Sequence, residues 1–190
     1  TGLWQFMFTT GKMFDLDVSS YVDERSDPLR ATEAASLYLK SLNKSFDDWD
    51  LALAAYNCGP GNVSKAIRRS GGMTDYWKLR RYLPRETAGY VPAFLATMYI
   101  FEYAEAHGFN TKRPDYIPYM ATDTIHVKNQ ITLDQVAKLT SLDKEELEFL
   151  NPSYKLGIIP VVEGKNYVLR LPITAIGTFV ANEAAIYDHV

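Results

Sequence analysis

A chain of 190 residues with 47% hydrophobic and 23% charged side chains has the composition of a folded globular protein, long enough for one well-buried core or a core with a small satellite domain. A net charge of −3 supplies no long-range attraction for polyphosphate, which argues against nucleic acid as a partner. There is no run of about 18 apolar residues to span a membrane and no basic-then-apolar start of a signal peptide, and a single cysteine, Cys58, rules out an internal disulfide.

Asp27-Pro28 reads as an N-cap followed by proline in the first turn, and predicts a helix with Ala31, Ala34, Ala35, Tyr38, Leu39 and Leu42 at helical spacing. A second helix is expected from Asp47 or Asp48 through Trp49, Ala52, Leu53 and Tyr56 to the stop at Gly59-Pro60-Gly61, which puts Asn57 at its end. Asn62 is expected to cap a third, with Val63, Ala66 and Ile67 inward and Gly71-Gly72 closing it. A fourth covers about residues 74–82, before Leu83-Pro84. A fifth is expected from Glu86 or Tyr90 to His107, with Val91, Phe94, Leu95, Met98 and Phe101 on one stripe and Gly108 as its C-cap.

Asn110-Thr111-Lys112-Arg113-Pro114 and Ile117-Pro118 exclude regular helix, so a linker is placed at residues 109–122. Beyond it come an alternating run at 124–127, helical patterns starting near Thr132 and near Ser141 or Asp143, then Asn151-Pro152 and a strand-like stretch at 167–172. Residues 174–190 read as the start of a further element or a tail. No internal repeat and no low-complexity segment is present.

Three strings carry side chains of interest: Gly2-Leu3-Trp4-Gln5-Phe6-Met7, Ala55-Tyr56-Asn57-Cys58-Gly59 and Glu86-Thr87-Ala88-Gly89-Tyr90-Val91. They supply amides and phenols that exchange hydrogen bonds with hydroxyl and N-acetyl groups, beside apolar faces for sugar rings. Each alone has a plainer reading: residues 2–7 as a core segment, Tyr56 as a half-buried core tyrosine, Asn57 as a helix-ending residue, Glu86 as a charge complementing a helix N-terminus. Taken together and in order, with Val22-Asp23-Glu24-Arg25 and Pro28 between them, they resemble the membrane-bound D-type branch of the lysozyme-like lytic transglycosylases over roughly residues 1–107. The segment after the linker resembles a LysM carbohydrate-binding module through Ile125-His126-Val127, the Leu133/Val136/Ala137 face, Glu146-Leu147-Glu148-Phe149-Leu150-Asn151-Pro152 and Leu171-Pro172. It departs from that family at Asn129-Gln130-Ile131-Thr132-Leu133, where Gly-Asp-Thr-Leu is usual, and by an insertion that includes residues 158–164. The departure lies in the sugar-contacting loop, so weak glycan binding by the module is expected.

The resemblance implies an α+β chain, mostly α: a lysozyme-like helical lobe, incomplete at its N-terminus, over residues 1–108, and a small βααβ LysM-like module over residues 123–173. It implies substrate contacts from Gln5, Met7, Tyr56, Asn57 and Tyr90 on one concave surface, with Glu86 supporting them. The family's catalytic glutamate sits in a Glu-Ser pair upstream of the Gly-Leu-Trp-Gln-Phe string, so it is expected before Thr1 and no catalytic residue is assigned in this chain. Glu24, Glu33, Glu86 and Glu102 do not occupy that position. The chain alone is accordingly expected to be N-terminally truncated and inactive, with apolar surface around Trp4/Phe6 and Val91/Phe94 left to water and open to self-association.

Where ordinary glycosidases use two carboxylates, this family uses one glutamate, first as acid on the leaving oxygen and then as base on the C6 hydroxyl of N-acetylmuramic acid. The product is a 1,6-anhydro end, formed without water, metal or organic cofactor. The implied partner is the peptidoglycan glycan strand, in a bacterial cell envelope, periplasmic or outer-membrane-associated. Two alternatives stand beside it: a goose-type hydrolytic muramidase, which leaves reducing ends, and a non-catalytic peptidoglycan-binding or scaffold protein. Cys58 reads as a packing residue, and His107, His126 and His189 stand too far apart to suggest a metal site. The Lys65/Arg68/Arg69 and Lys78/Arg80/Arg81 clusters read as solvated helix faces with charge suited to the acidic stem peptides of peptidoglycan.

Overall fold

Caps set the helix boundaries. In the computed structural model, which describes residues 2–109 and 121–188, the first half of the chain forms α1 (Phe8–Met13), a 3-10 turn (Glu24–Ser26), α2 (Pro28–Phe46), α3 (Trp49–Cys58), α4 (Pro60–Arg69), α5 (Tyr76–Leu79), a second 3-10 turn (Arg80–Tyr82) and α6 (Arg85–Glu102). The second half forms β1 (Thr122–His126), β2 (Ile131–Thr132), α7 (Leu133–Thr140), α8 (Lys144–Leu150), β3 (Ile158–Ile159), β4 (Val168–Pro172) and α9 (Ile173–Asp188). The chain divides into two compact units, Thr1–Ala34 with Pro114–Val190 and Ala35–Arg113, the division falling inside α2. The expected linker at 109–122 lies for the most part outside the described residues, as does His189.

In the helical unit, Asp48 is extended and its carboxylate accepts from the Leu51 amide at 2.7 Å, starting α3 where the sequence placed it. The inner face of α3 carries Ala52, Ala54 and Ala55, small enough to admit α4 and α6 closely, with Leu51, Val63, Tyr76 and Val91 filling the core between them. One expectation needs correcting: Asn62 does not cap α4. Gly59, at φ 86°, turns the chain at once and Pro60 takes the first helical position, so α4 begins three residues earlier and the Asn62 amide reaches back to the Cys58 carbonyl at 2.8 Å.

A second correction concerns α6, which ends at Glu102 rather than His107. Tyr103 is its C-cap, and residues 103–108 form turns in which Tyr99 stacks with Tyr103 and meets the His107 ring edge-on. The expected stripe is buried only at its start: Val91 is sealed, whereas Phe94 is 39% exposed and Leu95, Met98 and Phe101 more so. Of the expected bare surface around Trp4/Phe6, Phe6 itself is buried and the half-buried Trp4 indole donates to the Thr32 hydroxyl at 2.8 Å, whereas their neighbours Leu3, Met7 and Phe8 are exposed.

The other unit is a small α+β body. β1 pairs antiparallel with β4, from Thr122 opposite Pro172 to His126 opposite Val168, and β2 pairs antiparallel with β3. Thr132 and Gln135 form a complete capping box at the start of α7. The pairs β2 and β3 escaped the sequence reading because two residues are too few to show a period, and the insertion at 158–164 supplies one of them. The stretch 174–190, expected as the start of a further element or a tail, carries over its described residues the helix α9, which places Ala175, Phe179 and Ile186 in the same core as Leu133, Leu147 and Leu169. Val22, from the N-terminal segment, enters that core as well and bridges to Tyr154. Around it the Asp23 amide donates to the Ser153 carbonyl at 2.7 Å and the Lys155 amide to the Tyr21 carbonyl at 2.9 Å.

Candidate functional site

The second and third strings meet in the helical unit. Tyr56 and Asn57 occupy the last turn of α3, and Glu86, Thr87 and Tyr90 the first turns of α6, which packs on α3. The Thr87 hydroxyl, buried at 1% exposure, donates to the Asn57 side-chain oxygen at 2.7 Å. That bond fixes which end of the amide is nitrogen and turns it toward Glu86, whose carboxylate lies 3.5 Å from it. Glu86 is exposed in the first turn of α6, where the helix dipole favours an anion. The backbone beneath is tied down as well: the Tyr76 hydroxyl donates to the Thr87 and Ala88 carbonyls at 3.1 Å, and Arg80 Nε to the Ala88 carbonyl at 2.9 Å.

Burial, with the neighbouring Tyr90 and Tyr38 phenols adding to it, pushes the Tyr56 hydroxyl up to about 12, so it remains an O–H donor at any physiological pH. Its ring stacks obliquely on Tyr38, centroids 5.4 Å apart. Cys58 is half-buried; burial raises its thiol and a hydrogen bond with Thr87 opposes this only in part, which suits packing rather than nucleophilic attack. The cluster thus offers neutral donors and acceptors beside aromatic faces, the recognition chemistry of a carbohydrate.

The first string lies in the other unit. Gly2 sits at φ 66° with Arg25 so close that a Cβ would fall 1.9 Å from its carbonyl oxygen, a position only glycine fills. Arg25 forms a bidentate pair with Asp23, whose carboxyl it holds below the usual range, and donates to the Phe6 carbonyl at 3.1 Å. Gln5 stands at φ 51° with its side-chain amide on the Gly2 carbonyl, and Met7, the N-cap of α1, is exposed at 74%. Of the expected contact residues, Tyr56, Asn57, Tyr90 and the supporting Glu86 are therefore neighbours, and Gln5 and Met7 share a second locus. The sequence reading left two residues unassigned. Thr87 and Arg25 hold these strings in place, and each stood inside a quoted motif whose spacing gave no hint of its partner.

Residues 1–78 match the family described as "Transglycosylase SLT domain", and residues 121–188 match "Lytic transglycosylase MltD, LysM-like domain". The chain therefore carries an SLT domain followed by a LysM-like domain of the kind described for lytic transglycosylase MltD. It is 34% identical over 172 residues to "Membrane-bound lytic murein transglycosylase D" of Escherichia coli (strain K12), and equally to the protein of that name from strain O6:H1. The match covers 88% of this chain and 37% of either relative. A shorter match, 41% over 68 residues, covers 35% of this chain and 33% of a protein of Alteromonas sp. (strain M-1) named for tributyltin chloride resistance. Among the described residues no helix is long and apolar enough to cross a membrane.

Proposed function

We propose that this chain binds the glycan strand of peptidoglycan through Gln5, Met7, Tyr56, Asn57 and Tyr90, with Glu86 bracing Asn57. We infer that it serves a lytic transglycosylase, which cleaves the bond between N-acetylmuramic acid and N-acetylglucosamine and leaves 1,6-anhydro ends in the bacterial envelope. The observation that carries this reading is the Thr87–Asn57 bond at 2.7 Å, which joins two motif strings thirty residues apart into one amide-and-phenol cluster. An amide held in one orientation suits the acetamido group beside a cleavage site, where positioning contributes directly to rate. The E. coli relatives, named for murein transglycosylase action and membrane attachment, support substrate and location alike. No carboxylate of the chain is assigned as the acid.

The test is digestion of purified sacculi by the protein at its full encoded length, with muropeptides read by mass spectrometry. Anhydro ends support the assignment. Reducing ends in their place point to a goose-type muramidase, and intact strands that still bind the protein point to a non-catalytic role.

A further inference from the structure

Residues 60–85 hold seven cations against the single carboxylate of Asp75, in a chain whose net charge is −3. Three of the seven, Lys65, Arg68 and Arg69 on α4, line a cleft of about 440 Å³ together with Asn62, Tyr82 and Pro84. A cavity of this size is within the range that takes a small ligand. Several of the cations already have work within the fold: Arg69 donates to the Tyr82 carbonyl, Arg80 to the Ala88 carbonyl while lying over the Trp77 ring, and Arg81 lies over the Tyr82 ring. Lys65 and Arg68 are different. Both are exposed on the cleft, and among the described residues neither has a carboxylate within ion-pair distance.

The cleft adjoins the candidate site at both of its walls. Asn62 donates to the Cys58 carbonyl, one residue past Asn57, and Pro84 is the N-cap of α6, two residues before Glu86. A glycan seated at Asn57 carries a stem peptide on the lactyl group of each N-acetylmuramic acid, and those peptides bear free carboxylates. We propose that the Lys65/Arg68 cleft binds stem-peptide carboxylates of peptidoglycan, so that the chain distinguishes peptide-bearing strands from denuded ones. This rests on the glycan reading of the adjacent site. Two cations of one sign in a shaped cleft bind a carboxylate by charge-assisted hydrogen bonds, and because both are exposed the attraction weakens with salt.

The test is calorimetric titration of the full chain with soluble glycan oligomers bearing stem peptides and with the same oligomers after amidase removal of the peptides. The wild type is expected to bind the peptide-bearing oligomers about tenfold more tightly at low ionic strength, the difference shrinking toward 0.5 M salt on the order of a Debye length near 4 Å. Lys65→Gln/Arg68→Gln is expected to bind both kinds equally, with its affinity for stripped oligomers unchanged; the charge-reversed Lys65→Glu/Arg68→Glu is expected to invert the preference. A preference that survives in the double Gln variant overturns the proposal, and so does a wild type that binds both kinds alike. Loss of binding to phosphatidylglycerol vesicles in the variant, with oligomer binding intact, also overturns it and gives the cleft to a membrane surface. A wild type that binds neither oligomer contradicts the glycan reading itself.

Discussion

Asn57 is useful only while its amide is held, and the residue that holds it is Thr87. Thr87→Val keeps the shape, removes the hydroxyl, and leaves the Asn57 oxygen without that donor in a half-buried place. The expected cost is about 1–2 kcal/mol of stability, measured by urea denaturation, and a weaker glycan titration; Thr87→Ser should restore both. An unchanged glycan affinity in a destabilised Val variant would separate Thr87 from binding. At this scale the sequence announced the right side-chain types and missed their restraints. Tyr56, Asn57 and Tyr90 were visible because their strings match a family, whereas Asn57, the partner of Thr87, lies 30 positions away and the Phe6 carbonyl that Arg25 reaches lies 19 away, and no local pattern points to either.

Elements were legible where a cap or a breaker marked them. Asp48, Asp75 and the Thr132/Gln135 box start helices at or near the expected residues, because a side-chain acceptor at an N-cap is a local device that reads directly from sequence. α9 was not legible as core, since nothing in 173–188 says which body its apolar residues join; Phe179 and Ile186 become meaningful only once α7 packs against them. Phe179→Ala is therefore expected to destabilise this unit by about 3–5 kcal/mol, the cost of removing a sealed aromatic side chain, and to broaden its NMR spectrum while the helical unit keeps its own. A loss under 1 kcal/mol, measured by urea denaturation, would mean that α9 is an appendage and not part of the core.

For the molecule as a whole, Asp17 shows how the N-terminal segment is fastened to the LysM-like body. Burial alone would raise its carboxyl, but the Tyr167 hydroxyl, Lys12 and Lys165 more than offset this and hold it at about 2, below the ordinary 3.8. Since the folded value lies below the unfolded one, this carboxylate's contribution is complete above about pH 4 and disappears as pH falls through about 2. Its side chain is 12% exposed, so the effect is of order 2 kcal/mol. Asp17→Asn is expected to lower stability at pH 7 by about that amount and to flatten the acid limb between pH 4 and 2, as followed by urea midpoints across pH. An acid limb identical to wild type would remove Asp17 from this role.

The claim on which the account depends is that side chains from the first two strings contact glycan. Asn57 and Gln5 each carry a side-chain amide, and Met7 a methyl group, so each reports separately in an NMR titration. Adding an oligomer of alternating N-acetylglucosamine and N-acetylmuramic acid to the isotope-labelled chain is expected to shift all three signals with one saturation curve, and Asn57→Ala to weaken that curve for the other two. Stationary Asn57 and Gln5 amides, with shifts confined to residues 129–132 of the LysM-like domain, would contradict the account.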